Sequence, residues 1–162
     1  MAAEYFLKID GIPGESVKKN HVGEIELLTW SWGETQSGGA VAGAGGASAG
    51  KANVEELRFS SLLDKSGPKL MIACASGTQL KAAGLSGNSG SAQFEFLQIK
   101  LTDVIIASYE IGAVSATDAR PTQQASLRFG KIGIEYRQQK PDGAGADTTK
   151  SGWDVKTNKT IP

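Results

Sequence analysis

Two long stretches alternate apolar and polar side chains with a period of two. They constrain the fold more than any other feature of the chain. Phe94 to Ile106 is one and Ser126 to Tyr136 is the other. Successive side chains of a strand point to opposite faces, so this alternation predicts strands buried on one side. In the second stretch Leu127 and Phe129 share one parity, whereas Ile132, Ile134 and Tyr136 have the other, with Gly130 at the switch. A one-residue β-bulge at Gly130 would bring all five to one face. Shorter strands are predicted over Tyr5 to Ile9, Glu24 to Gly33 and Trp153 to Ile161. Asn53 to Leu63 also fits a strand, although its spacing tolerates a helix.

Within Glu24 to Gly33, Ile25 and Leu27 lie on one face with Thr29 and Ser31. Glu24 and Glu26 share the other with Leu28, Trp30 and Trp32. Two tryptophans on one face demand a core or an interface. A single helix is predicted to start at Ser66-Gly67-Pro68, with Leu70, Met71, Ala73 and Cys74 as its apolar stripe and Gly77 as its C-terminal cap. Gly87-Asn88-Ser89-Gly90 reads as a turn and Lys140 to Ser151 as a loop. Many strands and one helix predict a mostly β sandwich or barrel.

Ser37 to Gly50 breaks this patterning. It holds 6 Gly, 5 Ala, 2 Ser and one Val. Such a composition offers little to bury and leaves the backbone free, which predicts a long flexible loop. Gly45 to Ala52 comes close to a phosphate-binding loop, but Ala52 stands where the magnesium-binding hydroxyl belongs. The segment is therefore read as a loop and not as a nucleotide site.

Charge and residue counts narrow the chemistry. Lys+Arg and Asp+Glu are 17 each, so the formal net charge is zero, which argues against nucleic acid as a partner. Cys74 is the one cysteine and His21 the one histidine. No intrachain disulfide, and no zinc site of more than two such ligands, is available. His21 is expected at the surface, Cys74 as a buried inert thiol, and Lys18, Lys19 and Lys51 as solvated loop charges, while alternation explains Glu24 and Glu26 on one strand face without catalysis. The N-terminus lacks the basic and apolar regions of a secretory signal, and no apolar run reaches the ~20 residues of a membrane span. A cytoplasmic chain without membrane insertion is the expectation. From the residues alone no catalytic, cofactor-binding or metal-binding residue is assigned. A structural or binding role and a lipocalin-like small-molecule-binding β-barrel both remain open.

Several segments, in order along nearly the whole chain, resemble the hemolysin-coregulated protein (Hcp) family of bacterial type VI secretion. They are Phe6 to Gly11 with Gly14 to Ser16, Glu24 to Gly33 with its Trp30-Ser31-Trp32-Gly33, Lys51 to Val54, Asp64 to Gly77, Tyr136 to Gly143 and Gly152 to Val155. The resemblance implies one domain over residues 1–162, a small β-barrel of two sheets with one α-helix on its side. It implies homohexameric rings that stack into a tube like that of a phage tail. A sheath surrounds the tube, a spike protein sits at its tip, and effector proteins travel in the lumen. It implies no cofactor and no catalysis, and export by the type VI apparatus without a cleaved signal peptide. On this basis Thr29 and Ser31 are expected on the lumen wall, with Ser31 either a cargo contact or a small packing residue. The 37–50 loop, with Ser37, Gly38, Gly39, Val41, Gly45 and Gly46, is expected to stack one ring on the next together with Lys51.

Overall fold

A computed structural model describes residues 2–36, 50–90, 94–113, 115–117, 119–140 and 145–162, the first two of the last stretch as backbone only. The elements, in chain order, are β1 (Ala3–Ile9), β2 (Ile25–Glu26), β3 (Thr29–Ser31), β4 (Glu34–Gln36), β5 (Ala52–Val54), β6 (Leu57–Leu62), α1 (Ser66–Ser76), β7 (Leu80–Ser89), β8 (Glu95–Gly112), β9 (Thr122–Gln139), β10 (Gly145–Asp154) and β11 (Lys159–Ile161). The chain is mostly β with one helix and two sheets, as the sequence predicts. The larger sheet runs β11-β10-β9-β8-β7-β1-β2, with β6 pairing both β3 and β9, and β4-β5 forms a separate ribbon.

β9 is the spine. Along Thr122–Tyr136 one edge pairs with β8. Its other edge is shared, by β6 along Thr122–Leu127 and by β10 along Lys131–Gln139. The predicted strand over Glu24 to Gly33 is two strands, not one. Leu27 N–H donates to Tyr5 O of β1, and the next residue, Leu28, donates to Ser60 O of β6. At this step the chain leaves one strand partner for another. The sheet thereby curls around its core, because β1 and β6 are joined through a single connecting segment. Parity resets at the same step: Ile25 is fully buried, Leu28 is exposed, and Trp30 turns back to the core beside Tyr5.

The interior is filled by aliphatic and aromatic side chains from every long strand and from α1, including Leu7, Ile25, Leu57, Phe59, Leu70, Leu101, Val104 and Leu127. That packing occupies the space a lipocalin-like barrel keeps for its ligand. α1 forms where predicted. Gly77 closes it with φ 64°, a left-handed conformation that disfavours a side chain. Leu70 and Ala73 face the core and Cys74 is half-buried, but Met71 points to solvent.

Several local expectations are corrected. Gly87 to Ser89 belongs to β7, not to a turn. A Cβ on Gly87 would lie 2.9 Å from Tyr5 and 3.1 Å from Phe96, so glycine stands there to let two rings cover the strand. Residues 145–151, expected as loop, belong to β10, and Trp153 to Ile161 is a hairpin. Asp154 folds that hairpin: its carboxylate accepts the N–H groups of Lys156 and Thr157, and Asn158 takes φ 57°. The parity switch at Gly130 is real, but it is not a one-sided bulge. Asp103 opposite adopts φ 56°, and burial flips on both strands together, from Leu101 to Val104 and from Phe129 to Ile132. The pairing register is the same on both sides of this kink. Tyr136, past it, is exposed.

Candidate functional site

β3, β6, β9 and β8 lie side by side, and their registers place outward residues in rows. One row crosses the four strands as Thr29, Ser60, Gln124 and Glu110; the next crosses as Ser31, Arg58, Ser126 and Ser108. The matching inward row is Trp30, Phe59, Ala125 and Tyr109. One face of these strands therefore supplies the core, and the other is built of hydroxyls, an amide and charges. Thr29 Oγ1 bonds Ser60 Oγ at 2.6 Å, and Ser108 Oγ bonds Ser126 Oγ at the same distance. Thr29 and Ser31 are exposed, and Ser31 lies beside Arg58 without being covered by a neighbouring strand.

Charges on this face are paired at its edge. Arg128 donates to Glu56 Oε2 at 2.8 Å, and Ser126 Oγ donates to Glu56 Oε1 at 3.0 Å. Partial burial works against ionisation of Glu56, but the bonds from Arg128 and Ser126 outweigh it and hold the carboxyl below its usual range. Beside them lies an open cleft of about 430 Å³ lined by Val54, Glu55, Glu56, Arg58, Arg128, Phe129 and Val155. The surface is wet, hydrogen-bonding and low in large apolar groups, suited to many weak contacts.

Sequence reading reached Thr29 and Ser31 but missed Ser60, Gln124, Arg58 and Ser108. The signal was present in Gln124-Ala125-Ser126-Leu127-Arg128, where polar and apolar residues alternate, but the predicted strand began only at Ser126. Ser37, Gly38, Gly39, Val41, Gly45 and Gly46 lie outside the described residues. Their stem does not: Gln36 pairs with Ala52, and Glu34 with Val54. Trp32 Nε1–H donates to Glu55 O at 2.8 Å, and Ala52 N–H to Asn158 Oδ1 at 3.3 Å. Lys51 is exposed at the root of this ribbon. The stem is thus tied to the β10–β11 hairpin, and its Val54 reaches the cleft at the edge of the Thr29/Ser31 face.

His21 departs from expectation. It is buried, stacked on Phe6 with ring centroids 4.3 Å apart, and bonded to Glu24 and Asn88. No cluster of three or more His, Cys, Asp or Glu residues suited to a metal occurs among the described residues. No helix among them is long and apolar enough to cross a membrane.

The curled β-shell, with its apolar inner face, polar outer face and one packed helix, defines a β-rich protein of two sheets. Comparison with known proteins makes this specific. Residues 6–136 match the family model described as "Type VI secretion system effector, Hcp". The chain is 41% identical over 161 residues to the protein hcp1 of Pseudomonas aeruginosa, covering 98% of each chain. Its fold superposes on a solved type six secretion system protein with TM-score 0.91 at 26% identity, covering 99% of this chain and 100% of the other. It superposes on Hcp1 from Salmonella typhimurium with TM-score 0.83 at 34% identity, with the same coverage. The chain belongs to the Hcp family of type VI secretion proteins.

Proposed function

We propose that residues 1–162 act as one unit that closes into hexameric rings, and that the rings stack into a tube expelled by the type VI apparatus. The similarity to Pseudomonas aeruginosa hcp1 over nearly the full length of both chains carries this reading. In it the chain is a structural protein without catalysis or cofactor. It waits in the cytoplasm and leaves through the apparatus rather than by a cleaved signal. Its partners are other copies of itself, the spike at the tip, the surrounding sheath and effector proteins in the lumen.

A ring needs a head-to-tail interface that closes on itself. Among the described strands β11 pairs with β10 alone and β3 with β6 alone, which leaves each an edge suited to a neighbouring subunit. Zero net charge removes long-range repulsion between copies. The polar face carrying Thr29, Ser31, Ser60 and Gln124 is the proposed lumen wall, and Ser31 a cargo contact on it. The ribbon ending at Gln36 and Ala52 is the proposed root of the stacking loop that carries Val41, with Lys51 at its base. Sedimentation velocity and electron microscopy of the purified chain test the assembly: a monomer at micromolar concentration overturns it. Ser31→Gln tests the wall. Intact rings with reduced retention of an effector support it, whereas failure to assemble makes Ser31 a packing residue at an interface.

A further inference from the structure

The turn between β1 and β2 folds back over the sheet and is pinned by its own backbone bonds: Gly14 N–H to Gly23 O, Ser16 N–H to Glu24 O and Gly23 N–H to Ser16 O. His21 fixes it to the sheet through its side chain. Its ring lies parallel to Phe6 of β1, with an interplanar angle of 1°. Nδ1 is 3.0 Å from Glu24 Oε1, and Nε2 is 2.8 Å from Nδ2 of Asn88 on β7. An ionised carboxylate only accepts, so the neutral ring carries its proton on Nδ1 and offers the Nε2 lone pair to the Asn88 amide. The other end of that amide, Oδ1, is buried with no hydrogen-bond partner. Among the described residues the Nε2 bond is the one that orients Asn88.

A second proton on the ring is incompatible with this arrangement. Nε2–H and an amide N–H cannot face each other at 2.8 Å. Asn88 holds the required acceptor on the same side chain, in the unpartnered Oδ1. We propose that His21 and Asn88 form a proton-driven switch. With the imidazole neutral the amide donates through Nδ2; with the imidazolium it rotates by half a turn, and Oδ1 accepts Nε2–H. Glu24 stays the acceptor for Nδ1–H in both states. The other charged residues of the elements around the switch are Glu15, Lys18 and Lys19 on its own turn, Glu4 and Lys8 on β1, Glu26 on β2 opposite Phe6, and Glu95 on β8 opposite Asn88. Lys18 and Glu4 neutralise each other at 3.3 Å. From β7 the residues sharing this face with Asn88 are Ser86 and Gly84, which carry no charge. The switch lies beneath the turn displaying Val17 and Val22, which are 86% and 74% exposed. A proton therefore resets the hydrogen bonds under the two most exposed large aliphatic side chains of the described residues.

The chain has one histidine, so its imidazole signals need no assignment. The full-length protein, labelled with ¹⁵N at histidine and asparagine side chains and with ¹³C at valine methyls, is followed by NMR from pH 8 to pH 5. At pH 8 we expect the Nδ1–H tautomer and a scalar coupling between Asn88 Nδ2 and His21 Nε2 across the hydrogen bond. At pH 5 we expect that coupling to vanish, both ring N–H signals to appear, and the Val17 and Val22 methyl shifts to move with the same midpoint. In Asn88→Leu the methyl shifts lose their response. The proposal is overturned by an Nε2–H tautomer at pH 8, or by an imidazole that keeps one proton throughout. A coupling that survives protonation, or valine shifts that respond equally in Asn88→Leu, overturns it as well.

Discussion

Two buried polar clusters hold this shell together, and they differ in one respect. At the start of α1 every terminal group of Gln123 is used. Its two Nε2 hydrogens are shared among Ser61 Oγ and Ser66 Oγ at 3.0 Å each and Asp64 Oδ1 at 3.3 Å, and its Oε1 accepts Tyr109 O–H at 3.0 Å. Ser66 binds Asp64 through both its hydroxyl and its N–H. Burial, with Asp64 nearby, raises the Tyr109 phenol, so it stays a donor. At the β1–β2 turn, by contrast, His21 and Asn88 leave Oδ1 spare. A buried network in which all partners are satisfied has one arrangement; one with a spare acceptor and a titratable neighbour has two. The first anchors α1 to β6, β8 and β9. The second ties down a turn whose bonds change with a proton.

The sharpest way to break this contrast is Gln123→Leu. It leaves the Tyr109 hydroxyl without its acceptor and takes a donor from Ser61, Ser66 and Asp64, and urea unfolding at fixed protein concentration should show a loss of about 3 kcal/mol. Gly67→Ala strikes the same cluster sterically. Its Cβ would lie 2.7 Å from Leu63 Cδ1, 3.0 Å from Tyr109 Oη and 3.2 Å from Gln123 Oε1. Here the usual helical gain of alanine is outweighed, and a net loss of about 1–2 kcal/mol is expected, with a lower melting temperature. Asn88→Leu takes the donor from the buried His21 Nε2 but also removes the orphaned oxygen, so it should cost about 1 kcal/mol, less than Gln123→Leu, in the same unfolding measurement. A cost for Asn88→Leu equal to that of Gln123→Leu would erase the distinction between the clusters.

The smallest effect is expected at the surface, in the Glu56–Arg128 pair. Glu56 is held below its ordinary value of 4.5 in the folded state, so its stabilisation is present above that value. It is lost as the pH falls through the lower folded value. Arg128→Ala should therefore cost about 0.5 kcal/mol at neutral pH. The gap to the parent chain should narrow as the pH falls below 4.5 and close once it has passed the lower folded value. A gap that persists in acid would mean that Arg128 acts through packing and not through charge.

The alternation in Phe94 to Ile106 and Ser126 to Tyr136 was legible because one face of each strand meets the core, and burial writes a period of two into the residues. α1 was legible for a similar reason: Pro68 and Gly77 mark its ends by backbone geometry alone. β7 was not, because Gly87 reflects rings supplied by Tyr5 of β1, far along the chain, and by Phe96 of β8. The candidate wall was half legible. Alternation placed Thr29 and Ser31 opposite Trp30, but nothing local says that Ser60 and Gln124 complete their row.

By itself, then, the sequence determined the β class, the helix and its ends, the parity switch at Gly130 and the residues that carry the Hcp resemblance. These depend on neighbours within a few positions, where backbone geometry and side-chain alternation act directly. The tertiary structure decided where Leu27 and Leu28 exchange partners, which polar residues share a face, and that His21 lies buried against Phe6 with Asn88 beside it. Those outcomes depend on register between strands dozens of residues apart. Register is set by how all the strands together close over one core, and no single segment encodes it.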